Sequence, residues 1–126
     1  MTDRIQRMIA ARRRMAAAHS QQTVESDVAD HCSEIAHTLP KQRLDEGHVD
    51  QPQEVGRILA GAFRSYVQEQ QAMTAAERET AISVLERCAT IAAALPAERI
   101  DQGYRDDAIA LGREIAMAID AEFGLG

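Results

Sequence analysis

The stretch "LPKQRLDEGHVD" at 39–50 returns 56 residues later as "LPAERIDQGYRD" at 95–106. Leu-Pro opens both, and Arg, Asp, Gly and Asp follow at the same offsets. Over the wider window, residues 32–63 and 88–119 are identical at 13 of 32 positions, with conservative pairs such as Leu44/Ile100, Val55/Leu111 and Leu59/Ile115 between them. The fold turns on whether these twelve residues are a binding motif used twice or a corner of scaffold used twice. Each recurring letter has a backbone task. Proline restricts the residue before it and tolerates the first turn of a helix, where its missing N–H costs nothing. Gly47 and Gly103 supply the left-handed residue that stops a helix. Asp50 and Asp106 then stand where a carboxylate accepts the orphan N–H groups of the next helix. The pattern predicts helix, short helical connector, helix, made twice.

Apolar spacing on either side of the corner is helical. Val24, Val28, Cys32, Ile35 and Leu39 precede it, and Val55, Ile58, Leu59, Ala62, Phe63 and Tyr66 follow. In the second copy Ala81, Val84, Leu85, Cys88, Ile91, Ala92 and Leu95 lead to Ala108, Leu111, Ile115, Ala118 and Ile119. Thr74-Ala-Ala-Glu77 has the spacing of a capping box, and Gly124-Leu125 that of a helix stop. Neither copy can bury its apolar face alone, so the two are expected to pack on each other. The fold class is all-α: a basic N-terminal helix (1–22), then an acidic body (23–126) built of two units, about 24–70 and 74–124. These units pack as a four-helix bundle with pseudo-twofold symmetry. A Gln-rich stretch at 20–23 marks a joint between arm and body.

Composition agrees. At 126 residues, 45% apolar and only 3% aromatic, the chain suits one domain of helices packed through small aliphatic side chains. No apolar run approaches the ~20 residues of a membrane span. Two cysteines are too few for a disulfide framework, which points to a reducing cytoplasm. The net charge of −6 is unevenly spread. Residues 1–20 carry five Arg and one Asp, hence +4, while the rest carry nine basic and nineteen acidic residues, hence −10. An acidic body does not bind nucleic acid by releasing counterions.

Candidate sites are few. Arg4, Arg7, Arg12, Arg13 and Arg14 make the arm the first candidate for partner binding. At 100° per residue Ile5, Met8, Ile9 and Met15 form its apolar stripe, with Arg12 in the middle of that stripe. Arg43, Arg57, Arg99 and Arg113 recur at the 56-residue offset and serve either to clamp an anion or as structure, bridging to Asp45 and Asp101 or to carbonyls ending the short connector helix. Glu34-Ile-Ala-His37 has a Glu-x-x-His spacing that resembles the ferritin-like di-iron bundles. The copy carries Thr90 and Ala93 instead, so Glu34 and His37 are weak metal candidates on a polar stripe. Cys32 and Cys88 hold equivalent apolar positions, as small buried hydrophobes or as a redox pair.

No P-loop, nucleophile elbow, metalloprotease or dinucleotide fingerprint is present, and no cofactor is implied. The expected function is a small non-enzymatic adaptor or regulator. It binds a protein partner through acidic helical faces, the Arg-rich N-terminal helix, or both, and the pattern also admits a homodimer. The alternative is a nucleic-acid accessory protein, touching phosphate through its arm or mimicking nucleic acid with its acidic body. A metal-binding bundle is the third reading.

Overall fold

Helical spacing becomes four helices, with no strand among the described residues. They are α1 (Thr2–Asp45), α2 (Pro52–Glu69), α3 (Ala75–Asp101) and α4 (Ala108–Phe123). The computed structural model describes the backbone of residues 2–125 and the side chains of residues 23–125. The arginines at positions 4, 7, 12, 13 and 14 therefore lie outside the described side chains. The chain is all-α and a helical bundle. Helix α1 packs chiefly on α4 and α2 chiefly on α3, while α1 and α3 meet across the middle. Phe63, Leu59, Leu111, Ile115, Ile119 and Val28 fill the core and are almost wholly withdrawn from solvent. Helix α3 is long and apolar enough, by length and composition alone, to cross a membrane. Here its apolar face, Ala81, Val84, Leu85, Cys88 and Ala92, is buried in the core.

Two expectations about helix boundaries need correction. Residues 20–23 form no joint, because α1 runs through them without a break. Nor do Pro40 and Pro96 open short connector helices; each lies inside a long one, α1 or α3. A proline in a helix interior costs about 3 kcal/mol, because its ring crowds the carbonyl four residues back and removes that carbonyl's donor. The carbonyls in question belong to Ala36 and Ala92, and a glycine from another helix meets each of them. Gly112 of α4 lies against the Ala36 oxygen and the Pro40 ring, and a Cβ there would approach both closer than 3.0 Å. Gly56 of α2 lies as close to the Ala92 oxygen, with the Ala93 backbone rather than the proline ring as its next neighbour. The glycine Cα–H groups thus point at the two carbonyls that proline leaves without a donor, a contact worth about 0.5–1 kcal/mol each. Helix-internal glycine, unfavourable by about 1 kcal/mol against alanine, is offset by close approach.

The helix ends follow their local chemistry. In α1, His48 N–H bonds the Arg43 carbonyl (2.9 Å) and Gly47 N–H the Leu44 carbonyl (3.0 Å), with Gly47 at φ 94°. Tyr104 and Gly103 close α3 with the same pair of bonds to Arg99 and Ile100. Both are Schellman stops. Gly124, at φ 66°, ends α4 with Leu125 N–H on the Asp120 carbonyl (2.8 Å). The Thr74–Glu77 capping box is complete, both bonds measuring 3.1 Å. Asp107 rather than Asp106 caps α4, its Oδ1 accepting from Ala110 N–H (2.8 Å). Gln51 caps α2 without a side-chain bond, next to Pro52.

Gly56→Ala and Gly112→Ala are each expected to lower unfolding free energy by about 1–3 kcal/mol, since the two backbones must part to admit a methyl group. Gly61, whose missing Cβ would meet nothing within 4 Å, is the internal control. Gly61→Ala is expected to gain up to about 1 kcal/mol. Urea denaturation of the three variants checks this, and equal stabilities would remove the close approach from the account.

Candidate functional site

The two recurring corners resolve into ion-pair locks. Arg43 donates through Nε to Asp50 Oδ2 (2.6 Å) and through Nη2 to Oδ1 (2.9 Å). Arg99 holds Asp106 with the same two-pronged grip, its Nη2–Oδ1 arm at 3.2 Å. Asp50 and Asp106 are therefore not caps, and the arginines reach past Asp45 and Asp101. A guanidinium fork two turns before the loop end matches a planar carboxylate better than exposed N–H groups do. Arg99 also stands 3.6 Å from Glu114 and stacks over the Tyr104 ring at 3.8 Å. Both guanidiniums are thus engaged within the chain. Arg57 and Arg113 are exposed on α2 and α4.

Helices α1 and α4 run antiparallel, and Ser33 Oγ donates to the Ala116 carbonyl (3.3 Å) where they cross. Their outer seam is a groove. At one end lies an open hollow of about 600 Å³, bordered by Asp30, Glu34 and His37 of α1 and by Arg113, Met117 and Asp120 of α4. Towards the corner the seam continues into a hollow of about 280 Å³ floored by Pro40, Leu44, Val49, Ala108 and Ile109. Val49 is 81% exposed, Met117 58% and Leu44 51%, so half of the six large apolar side chains open to solvent among the described residues flank one seam. The first hollow sets three carboxylates, Asp30, Glu34 and Asp120, against one guanidinium, Arg113. The second is largely aliphatic, with Asp50, held by Arg43, and Asp107, the α4 cap, at its edge.

Glu34 and His37 stand on this seam, exposed, as the polar stripe of α1 predicts. Among the described residues no three His, Cys, Asp or Glu side chains are gathered in a way that would hold a metal ion. The remaining seam residues, Leu44, Val49, Ile109, Met117 and Asp120, were not singled out by sequence. A signal for them exists in the comparison of positions 56 apart. Val49 faces Arg105 in that alignment, Ile109 faces Gln53, Met117 faces Gly61, and Asp120 faces Arg64. The corner residues are kept and these four seam positions differ, whereas Leu44 and Asp30 have the conservative counterparts Ile100 and Glu86.

A third hollow, about 370 Å³, lies between the α2 start and the second corner, with Gln51, Gln53, Tyr104 and Arg105 at its rim. Its other arginine, Arg99, is the one locked to Asp106. Cys32 and Cys88 are wholly buried and share a side-chain hydrogen bond, which together with burial pushes the Cys32 thiol up from its ordinary value. Burial away from solvent keeps both thiols from acting as nucleophiles. Arg87 holds Glu122 and stacks over Phe123 at 4.3 Å, tying α3 to α4.

Arg43 and Arg99 hold the carboxyls of Asp50 and Asp106 below the usual carboxylate range, through the hydrogen bonds first and charge second. A lowered folded value stabilises the fold above the unfolded value of about 4, and that contribution is lost as pH falls through the folded one. Wild-type stability to urea should therefore decline as pH drops below about 4. Asp50→Asn with Asp106→Asn is expected to be less stable at neutral pH and to show a flatter decline; parallel profiles would contradict the locks. In the same samples both thiols should stay unreactive towards a water-soluble disulfide reagent until the bundle unfolds.

The chain matches no known protein-family model, no curated protein and no solved structure.

Proposed function

We propose that the protein is a small non-enzymatic interaction module, an adaptor or regulator, that binds a protein partner through the α1/α4 seam. One observation carries this: Leu44, Val49 and Met117 stand open to solvent beside the carboxylates of Asp30, Glu34 and Asp120 in a single groove. Apolar side chains gathered on one exposed face mark interaction surfaces more often than chance exposure does. The flanking carboxylates select a basic partner segment, steering its approach and fixing its register. A helix laid between two helices uses this geometry, with anchors three and four residues apart.

The module's architecture belongs to the same proposal: a duplicated helix–connector–helix unit with pseudo-twofold symmetry. Its support is the recurrence, 56 residues apart, of the Arg43–Asp50 and Arg99–Asp106 locks and of the Gly112–Ala36 and Gly56–Ala92 contacts. Duplication keeps the scaffold twice and frees one seam to diverge into a docking face. Two unpaired cysteines suit a reducing compartment, and we place the module in the cytoplasm on that ground.

Affinity capture from cells that make the protein, with nuclease treatment and mass spectrometry, tests this reading. The bait is the full chain, as wild type and as Met117→Glu with Glu34→Arg, both exposed positions. A nuclease-resistant set of proteins, other than the chain itself, should fall at least tenfold on the variant. An identical set on both baits would remove the seam from the function. Loss of all capture after nuclease would instead favour a nucleic-acid accessory role.

A further inference from the structure

The arm carries an apparent misfit. Ile5, Met8, Ile9 and Met15 share one helical face, yet Arg12 falls in the middle of it, with Arg13 and Arg14 alongside. A stripe interrupted by arginine does not fit an apolar core, where an unpaired charge is costly. It does fit a groove that is aliphatic at one end and acidic at the other. The α1/α4 seam is such a groove: Leu44, Val49 and Ile109 floor one end, and Asp30, Glu34 and Asp120 border the other. The order matches as well, with Ile5, Met8 and Ile9 preceding the arginine run and only Met15 of the stripe following it.

The arm cannot reach the groove of its own chain. Residues 2–45 are one helix, and the α1 wall of the groove is a later stretch of that same helix. A continuous helix does not fold back on itself, so an arm seated on this seam comes from a second molecule.

We propose that the protein forms a twofold dimer in which the N-terminal arm of each chain lies in the α1/α4 groove of the other. The proposal rests on the reading of this seam as a docking face. With Ile5 and Ile9 at the aliphatic end and Arg12–Arg14 at the acidic end, the incoming arm runs antiparallel to the α1 that receives it. In that register Ile5 lies opposite the region of Leu44, and Arg14 opposite Glu34. The arm is itself the first part of the partner's α1, so the two α1 helices lie antiparallel with the axis near Val24. The same operation that seats one arm seats the other. The interface closes on itself, as an isologous contact must. From Asp30 to Leu44 the groove is about 21 Å long, and the stripe from Ile5 to Met15 about 15 Å, so the arm fits within it. Charge favours the pairing too. The arm carries +4 and the rest of the chain −10, counted over residues 1–20 and 21–126.

Sedimentation of the full chain across micromolar concentrations, at low and high salt, tests the dimer. Two charge-reversed chains are needed. Asp30→Arg with Glu34→Arg reverses the groove at exposed positions. Arg12→Glu, Arg13→Glu and Arg14→Glu reverse the arm. Wild type should sediment as a dimer that weakens with salt, and each variant alone should dissociate at least tenfold more readily. An equimolar mixture should dimerise again, because each arm then meets a groove of opposite sign. Two unfolded variants could not restore a specific dimer, so the mixture also guards against misfolding.

A monomeric wild type overturns the dimer, and so do variants that sediment like wild type or a mixture that stays monomeric. A wild type that is monomeric until duplex DNA is added assigns the arm to phosphate and overturns it as well. None of these results decides whether capture of other proteins depends on Met117. The docking face therefore stands or falls by its own experiment.

Discussion

The bundle depends on two places where a proline, a carbonyl and a glycine meet across helices. Pro40 leaves the Ala36 carbonyl without its donor and Gly112 lies against it; Pro96 and Gly56 do the same at Ala92. Each proline alone breaks a helical ladder, and each glycine alone weakens a helix. Joined, they let α4 approach α1, and α2 approach α3, more closely than side chains otherwise permit. The rest of the packing follows from that approach. Small residues such as Ala36, Ala92 and Ala116 line the seams, Ser33 spans one of them, and the larger side chains are confined to the middle.

Much of this was legible because it is local. Helical periods placed the apolar face of every described helix, and the glycines of the corners marked helix ends through bonds spanning five residues. The capping box at Thr74 needs only three. The prolines misled for the opposite reason. A reading confined to neighbouring residues sees a missing N–H and ends the helix there. The compensation is a glycine about seventy residues later for Pro40 and forty earlier for Pro96, and no local rule reports it. Asp50 and Asp106 misled similarly: they sit where caps usually sit, yet a guanidinium seven residues back competes better for a carboxylate than backbone N–H groups do.

The candidate site was less legible than the scaffold. Glu34 and His37 could be placed on a polar stripe of one helix, but the groove they border has its other wall about eighty residues away in α4. Sequence alone offered acidic faces without pairing them, because nothing along one helix says which other helix lies beside it. The better clue was the difference between positions 56 apart. Corners that match hold the scaffold in place, and seam positions that differ, Val49 against Arg105 and Met117 against Gly61, are free of that duty.

The continuity of α1 links the scaffold to the proposed contact. Had residues 20–23 been a joint, the arm could turn back and cover the acidic seam of its own chain, and a monomer would satisfy both its charge and its apolar stripe. An unbroken helix forbids that solution. The aliphatic groups at Leu44, Val49 and Met117 and the stripe from Ile5 to Met15 then share one need, a neighbouring molecule. The arginine within the stripe limits which neighbour: desolvating Arg12 against a purely apolar surface is costly, while a surface with carboxylates among its aliphatic groups receives it. In this view the apparent defect in the arm's amphipathicity confers specificity, because it disfavours burial against any apolar surface that lacks a carboxylate partner.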